Sequence, residues 1–276
     1  MKKIINILFV AFAIFSSASC VKESREHCPC YLNFAHDGFC NNGYLDNLSL
    51  YVVEEGGRSS MKTYRVEDMI TDDCFVEVKR GDLNVYGLVG LSTMVHHDEH
   101  FLTIPYGQQC DSIMSFYDRV AAHGERAKVY GAINKLYARV KMTIKFPDVE
   151  GKVVVKVVGN TCGLDMRTTK GLKGPFMCLA EHLGHGLHTF RVPRQSDNSL
   201  ILEIWEVPAD SSADTELEEG RKLSFLNLGE MVTEKLEYDW NEEYLADIDL
   251  DVDFVKSIVT ISIKDWDRVE IFDMDI

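Results

Sequence analysis

The sequence predicts an all-β protein built from antiparallel sheets, and two features of the chain indicate this. Hydrophobic residues alternate with polar ones along many short segments, which is typical of half-buried strands. In segment 136–146 the hydrophobic residues that share one face are Val140, Met142, Ile144 and Phe146. Gly, Asn and Asp turns separate the segments, and strands do not alternate with helices as in a parallel α/β fold. The pattern favours β-sandwiches or barrels.

Predicted strands follow one another along the chain. They cover residues 31–36, 48–53, 62–66, 74–79, 83–89, 136–146, 151–158, 187–192, 199–207, 247–253 and 257–264. Segment 111–122 is the exception, because its hydrophobic residues stand at helical spacing and predict a helix. These residues are Ile113, Phe116, Tyr117 and Val120. The polar, acidic segment 208–220 predicts an exposed loop.

Four aspartates alternate with hydrophobic residues in segment 247–253; they are Asp247, Asp249, Asp251 and Asp253. A calcium loop needs a turn that brings its oxygens together, whereas the intervening Ile, Leu and Val favour a straight strand. We therefore interpret the carboxylates as an exposed face, whose mutual repulsion discourages edge-to-edge pairing.

The N-terminus has the order of a secretion signal. Lys2 and Lys3 precede a run from Ile4 to Phe15 that is apolar except for Asn6, and small residues follow at 16–19. The run is about 18 Å long as a helix, which is too short to cross a bilayer core of about 30 Å. We therefore predict that residues 1–19 are a cleaved signal peptide. The residues around Ser19 fit cleavage after Ser19 by either a general signal peptidase or a lipoprotein peptidase.

Cys20 stands directly after this cleavage point. The stretch SSASC is similar to a lipobox, with Ser17 where leucine is usual. We predict that the Cys20 thiol carries a diacylglycerol and that the new amine carries a further acyl chain, because several chains anchor a protein far more durably than one. The following VKESRE resembles the signal that sends lipoproteins to the outer face of the outer membrane.

Charge and cysteine content limit the partners and the bonds. The formal net charge of −15 argues against nucleic acid or an anionic membrane surface as partner. With Cys20 lipidated, seven cysteines remain, and an odd number leaves at least one free thiol. The candidates for disulfides in an exported protein are Cys28, Cys30, Cys40 and Cys74, with their connectivity open.

No motif for catalysis, metal or a cofactor emerges. The chain has no G-x-S-x-G, P-loop, G-x-G-x-x-G or HExxH, and no pair of CxxC motifs for zinc. Two histidine clusters occur, His96, His97 and His100, and His182, His185 and His188. Gly184 and Gly186 interrupt any helix in the second cluster, so we interpret both as surface-loop histidines. We predict no catalytic residue, no metal and no cofactor.

A succession of short motifs resembles a known family. HCPCYLNFAH leads into the first strand after Cys20, and LDNLSLYVV, LNVYGLVG, YGAINKLYARVKMTIKF and VKSIVTISIKDWDRVEI follow. The chain thereby resembles the fimbrillin-associated anchor lipoproteins of type V fimbriae. The resemblance implies two tandem antiparallel β-sandwich domains of transthyretin-like type, 20–130 and 131–276. The charged, glycine-containing segment 123–131 also predicts a domain boundary near Gly131. The resemblance further implies a non-enzymatic subunit that binds fimbrillins, attaches the fimbria to the outer membrane and limits its length.

The family resemblance also implies a mechanism based on strand exchange. A type V subunit loses its first strand and accepts a C-terminal strand from a neighbour, a form of β-strand addition. In an anchor, the first strand stays beside the lipid and keeps its groove filled. The C-terminal residues Phe272, Met274 and Ile276 alternate with aspartates and form a candidate contact strand. The alternative is a last strand of the protein's own sheet.

Two other functions remain open. A surface lipoprotein that binds glycans would use aromatic platforms, for which Trp205, Trp240 and Trp266 are the candidates. An extracellular hydrolase is disfavoured by the missing motifs. Recovery of fimbrillins in a pulldown would indicate the anchor, whereas retention on a polysaccharide column would indicate the glycan binder.

Overall fold

The computed structural model describes residues 28–34, 47–54, 59–65, 68, 75–97, 100–131, 133–146, 149–210, 220–264 and 269–275. Helix α1 spans Leu228–Leu236. The strands of the described residues are β1 (Pro29–Phe34), β2 (Asn47–Glu54), β3 (Ser59–Arg65), β4 (Val76–Lys79), β5 (Gly81–Val89), β6 (Val95–His97), β7 (Phe101–Thr103), β8 (Met114–Ala122), β9 (Arg126–Val129), β10 (Asn134–Lys135), β11 (Tyr137–Lys145), β12 (Lys152–Asp165), β13 (Lys170–Leu179), β14 (Glu181–Gly184), β15 (Leu187–Pro193), β16 (Ile201–Val207), β17 (Arg221–Leu226), β18 (Asp247–Asp253), β19 (Ile258–Lys264) and β20 (Val269–Asp275).

The strands form four sheets. The orders β4-β1-β9 and β10-β8-β5-β2-β3 make the first pair of sheets. The orders β14-β15-β11-β18-β19-β20 and β17-β16-β12-β7-β6 make the second pair, and β13 pairs with β12 outside this order. Strand pairs are antiparallel except for β1 with β9 and β11 with β18, which are parallel. The all-β class is therefore confirmed, and the sheets are consistent with tandem sandwiches.

A small core lies in the first sandwich. Cys30, Leu32 and Phe34 point inward from β1 and are at most 1% exposed. They belong to one cluster with Leu83 and Val85 of β5, which lies in the opposite sheet. Alternate residues of each strand thus build this core, as the period-two pattern predicts.

A larger core occupies the second sandwich and extends to the back of the first. It joins Val140 and Met142 of β11 to Val155 and Val157 of β12. Tyr51, Tyr86 and Leu88 reach it from β2 and β5. Strand β5 is consequently buried at every position from Val85 to Val89, because its two faces pack into different cores.

The two halves of the chain do not separate cleanly at a single boundary. The β6–β7 hairpin precedes Gly131 but pairs through β7 with β12, where Leu102 lies opposite Leu164. The domain division at Gly131 stays a prediction. The predicted signal peptide, residues 1–19, lies outside the described residues. Among the described residues, no helix is long and apolar enough to cross a membrane.

Segment 111–122 corrects one expectation, because it forms strand β8 and no helix. The strand lies inside its sheet, between β5 and β10. Phe116 packs into the small core, whereas its neighbour Tyr117 packs against the large one. Burial on both faces places hydrophobic residues at adjacent positions, and this spacing imitates one turn of a helix.

The aspartate strand corrects a second expectation. Strand β18 lies between β11 and β19, so its carboxylates do not protect a sheet edge. Asp253 is only 9% exposed, and it accepts hydrogen bonds from the backbone N–H groups of Val255 and Lys256. Lys145 of β11 forms ion pairs with Asp251 and Asp253, so neighbouring cations relieve the repulsion that the sequence suggested.

Candidate assembly surfaces

Strand β1 fills the space between β4 and β9. It runs antiparallel to β4, with Pro29 opposite Lys79, and parallel to β9, with Phe34 opposite Val129. The Tyr31 N–H also donates to the carbonyl of Glu125 at 3.0 Å, just before β9. Both edges of β1 are therefore hydrogen-bonded within the protein's own chain.

The side chains of β1 make its removal costly. Cys30, Leu32 and Phe34 are fully buried, and the Phe34 ring meets Phe116 edge-on at 6.3 Å between centroids. Burial of one such side chain stabilises a protein by about 1.5–3 kcal/mol. Burial also raises the pKa of the Cys30 thiol, which keeps it protonated and unreactive. Strand β1 is thus a firmly held part of the first sandwich.

Strand β9, which closes one side of this groove, was missed by the sequence reasoning. Segment 123–131 was interpreted as a charged stretch at a domain boundary. Ala127 and Val129 alternate there with the exposed Arg126 and Lys128, and this alternation is the signal of a strand. Four residues are too short a run to be distinguished from a charged loop in the sequence alone.

Strand β20 is the outermost strand of its sheet. It pairs antiparallel with β19, so that Phe272 lies opposite Ile261 and Met274 opposite Val259. Ile276 lies outside the described residues. The last-strand alternative is therefore what the structure contains, and a contact role for Phe272, Met274 and Ile276 stays a prediction. An outermost strand offers unpaired backbone groups to another chain.

The predicted lipid and disulfide sites fall largely outside this description. Cys20, Cys40 and Cys74 lie outside the described residues. Cys28 is exposed and Cys30 is buried, and neither forms a disulfide with another cysteine of the described residues. The lipidation of Cys20 and any pairing with Cys40 or Cys74 stay predictions.

The second histidine cluster is divided between a turn and a core. His182 of β14 lies opposite His188 of β15, with 4.9 Å between ring centroids. His185 occupies the turn with a φ of 53°, as predicted for a loop histidine. His188 is 1% exposed, so the surface-loop interpretation is wrong for this residue. Burial and the neighbouring His182 lower its pKa to about 4.

The described residues contain no group of three His, Cys, Asp or Glu side chains that could hold a metal ion. In the first cluster, His96 and His97 belong to β6 and His100 precedes β7.

The tryptophans do not form an open platform within the described part of the chain. Trp240 is 5% exposed and packs edge-on against Tyr238. Trp205 is half-buried, with Lys222 above its ring at 5.9 Å. Trp266 lies outside the described residues. Neither described indole presents the fully exposed face that stacking on a sugar ring requires.

Comparisons with known proteins find similar proteins by structure alone. No family model and no curated protein sequence matches the chain. The fimbrial anchor protein Mfa2 of Porphyromonas gingivalis is similar, with a TM-score of 0.54, 12% identity, and coverage of 87% of this chain and 98% of Mfa2. A candidate polysaccharide-binding protein of Bacteroides thetaiotaomicron has a TM-score of 0.60 at 11% identity, covering 89% of this chain and 98% of its own.

A candidate adhesin of Bacteroides ovatus is also similar, with a TM-score of 0.55 at 11% identity, covering 91% of this chain and 97% of its own. Identities this low show a shared fold. The chain has the fold of the fimbrial anchor protein Mfa2 and of these Bacteroides proteins, and the family resemblance seen in the sequence is confirmed at that level.

Proposed function

We propose that this protein is a non-enzymatic anchor or accessory subunit of a fimbria. In this proposal Cys20 tethers it by lipid to the cell surface of the outer membrane. Fimbrillins are its partners, and it attaches the fimbria to the cell and limits fibre length. The likeness in fold to a fimbrial anchor protein and to a candidate adhesin supports this direction.

The observation that carries the proposal is the position of β1. Its hydrogen bonds to β4 and β9 occupy the place that an incoming strand would take. A subunit whose groove is occupied by its own chain accepts no further donor there, which is the property expected of a subunit where growth ends.

The same strand lies close to the proposed anchor. Residues 21–28 separate Cys20 from β1, and an extended chain spans at most about 3.6 Å per residue, or about 30 Å in all. A lipidated Cys20 would therefore hold the first sandwich near the bilayer. The second sandwich, with its outermost strand β20, would be free to meet a fimbrial subunit.

Electron microscopy of a deletion strain tests the proposal, together with immunoblots for fimbrillin in cells and in medium. We expect long fibres shed into the medium. Unchanged fimbriae on the deletion strain would contradict the anchor role.

Complementation separates the anchor from the fold. The wild-type protein and Cys20→Ala are compared with Cys28→Ala, a matched control because Cys28 is an exposed cysteine eight positions away. We expect Cys28→Ala to restore attached fimbriae and Cys20→Ala to yield a released protein and released fibres. Retention of Cys20→Ala in the membrane fraction would contradict lipid tethering.

A further inference from the structure

A pocket lined by several charged and polar side chains opens in the second sandwich, away from β1. Its volume is about 470 Å³, a size typical of small-molecule sites. The start of β13, the loop between β15 and β16, helix α1 and the segment that follows it enclose the pocket. The side chains used in the argument below are Lys170, Lys173, Arg194, Gln195, Asp197, Asp239 and Trp240.

Three buried side chains of this lining have unsatisfied polar atoms. Arg194, Gln195 and Trp240 are only 3%, 4% and 5% exposed. No hydrogen-bond partner among the described residues reaches Arg194 Nε, Gln195 Oε1 or Trp240 Nε1. A buried donor or acceptor without a partner costs about 1–3 kcal/mol, and such groups are rare in native proteins. All three residues line the same pocket, which favours a ligand there as their partner.

The buried guanidinium lacks a counter-ion. Arg194 donates from Nη2 to the carbonyl of Glu242, and no carboxylate of the described chain lies within 4 Å of it. Asp239 and Glu243 act on it only from farther away. Because a buried charge is stable only when it is paired, this cation favours an anion in the pocket.

The acidic side chains of the lining are already engaged. Asp197 accepts hydrogen bonds from the N–H and hydroxyl of Ser199 and from the Asn160 amide. Asp239 accepts two from Asn241, through its backbone N–H at 2.8 Å and its side chain at 3.0 Å. Both carboxylates are thus committed to their own loops, and their remaining capacity to hold a ligand is small.

The lysines at the rim are not engaged in this way. Lys170 and Lys173 are exposed, and neither has a carboxylate of the described chain within 4 Å, although Lys173 acts on Asp197 from farther away. With Arg194 they place three cations around the pocket of a chain whose net charge is −15. A ligand that satisfies this pocket must therefore supply negative charge and hydrogen-bond acceptors to Arg194, the lysines and the Trp240 N–H. It must also supply one hydrogen-bond donor to Gln195 Oε1.

We infer that this pocket binds a carboxylated sugar unit. The carboxylate pairs with Arg194 and the rim lysines, and a ring hydroxyl donates to Gln195. A carboxylate alone leaves the Gln195 oxygen without a donor, and a neutral sugar leaves the buried cation unpaired. The inference does not depend on the anchor role, because β1 and its groove take no part in the pocket.

Titration of the full-length protein in detergent tests this inference, with methyl glucuronide, methyl glucoside and acetate as probes. The indole of Trp240 provides a fluorescence signal, and isothermal titration provides a second one. We expect the glucuronide to bind at least tenfold more tightly than either other probe. Equal binding of the glucoside, equal binding of acetate, or no binding of glucuronide up to about 10 mM would each overturn the inference.

Variants at the exposed rim keep the test independent of folding. Lys170→Ala and Lys173→Ala should each weaken glucuronide binding about twofold to fivefold, as expected for exposed charges. Lys62→Ala on β3 is the matched control, since Lys62 is also exposed and belongs to the first sandwich. Gln195→Glu adds a negative charge to the pocket wall and should weaken the glucuronide more than the glucoside. Equal affinities in the rim variants and the control would contradict the site.

Discussion

Lys135 is 4% exposed, yet it carries a charge that the surrounding chain satisfies. Its ammonium donates to Asp247 Oδ1 at 2.6 Å and to the carbonyl of Leu245 at 2.7 Å. The Tyr137 ring lies 4.9 Å away and contributes a cation–π contact. Asp247 also accepts a hydrogen bond from the Arg139 N–H, so one carboxylate joins β10, β11 and β18.

Replacing Asp247 should therefore destabilise the second sandwich. We expect Asp247→Ala to lower the free energy of unfolding by about 3 kcal/mol, because it removes the carboxylate that pairs with the buried ammonium of Lys135. Asp251→Ala, which breaks an exposed pair with Lys145, should lower it by less than about 1 kcal/mol. Urea denaturation measures both. Lys135→Met should recover part of the loss in the Asp247→Ala background, and no recovery would contradict the assignment.

His188 should make stability depend on pH. Its pKa is about 4 in the folded protein and near 6.5 when unfolded, so the unfolded chain binds the proton first as pH falls. The neutral imidazole therefore stabilises the fold above pH 6.5, and this contribution is lost between pH 6.5 and 4. The slope for one proton is about 1.4 kcal/mol per pH unit.

The His188→Phe variant isolates this contribution. Neither ring nitrogen of His188 has a hydrogen-bond partner in the described chain, so the replacement removes no such bond. We expect denaturation curves at pH 4 to 7 to show a flatter stability profile than the wild type. His185→Asn, in the exposed turn, should keep the wild-type slope. A wild-type slope in His188→Phe would show that other groups cause the acid sensitivity.

At the scale of elements, the charge pattern of two strands explains a pairing that neither strand predicts alone. Lys141 of β11 lies opposite Asp249 of β18, and Lys145 lies opposite Asp253, in parallel register. Opposite charges on facing positions stabilise a sheet by about 0.2–1 kcal/mol per pair. The sequence of β18 alone does not reveal the role of its aspartates, because that role depends on lysines about 106 residues earlier in the chain.

A disulfide staple across β1 and β4 tests whether β1 stays in its groove. Tyr31 and Glu77 lie opposite each other, and such antiparallel pairs have the Cα separation that a disulfide accepts. We expect Tyr31→Cys with Glu77→Cys, in a Cys28→Ala background, to keep fimbriae attached in the oxidised state. Fimbrillin in cells and in medium is the measurement.

The matched control for this staple is Ser49→Cys with Thr63→Cys, which links β2 to β3 in the same sandwich. Release of fimbriae by the oxidised β1 staple, with retention in the control, would show that β1 must leave its groove. That result would contradict the proposed mechanism of termination while leaving the lipid anchor intact.

At the scale of the molecule, the two sandwiches share a buried layer. Tyr86 of β5 stacks on Tyr117 of β8 at 5.0 Å, and both face the core of the second sandwich. The β6–β7 hairpin adds hydrogen bonds from the first half of the chain to β12. We therefore expect the halves to unfold together.

Tyr86→Ala should separate the two unfolding transitions. All three tryptophans follow residue 131, so their fluorescence reports the second half, while hydrogen exchange in β1 and β5 reports the first. Both probes should give one urea midpoint in the wild type and two in Tyr86→Ala. Tyr130→Ala removes a 69% exposed ring and should leave a single midpoint. Two midpoints in the wild type would show that the halves are independent.

The sequence by itself determined the strand class and most strand positions. Alternation is a local property, so strands such as 247–253 and 187–192 could be placed within a residue or two of β18 and β15. The candidate signal and Cys20 are also local, because a peptidase recognises a short stretch. The helix predicted for segment 111–122 was wrong, because burial of the strand on both faces removes the alternation of hydrophobic and polar residues.

Only the tertiary structure decided how these strands combine. The place of β1 between β4 and β9, the interior position of β18 and the pocket around Arg194 each depend on residues far apart in sequence. The physical reason is that a strand completes only part of its interactions with residues that are near it in sequence. Its backbone hydrogen bonds and its buried face are completed by partners that the chain brings from elsewhere, so pairing and sites appear only when the sheets assemble.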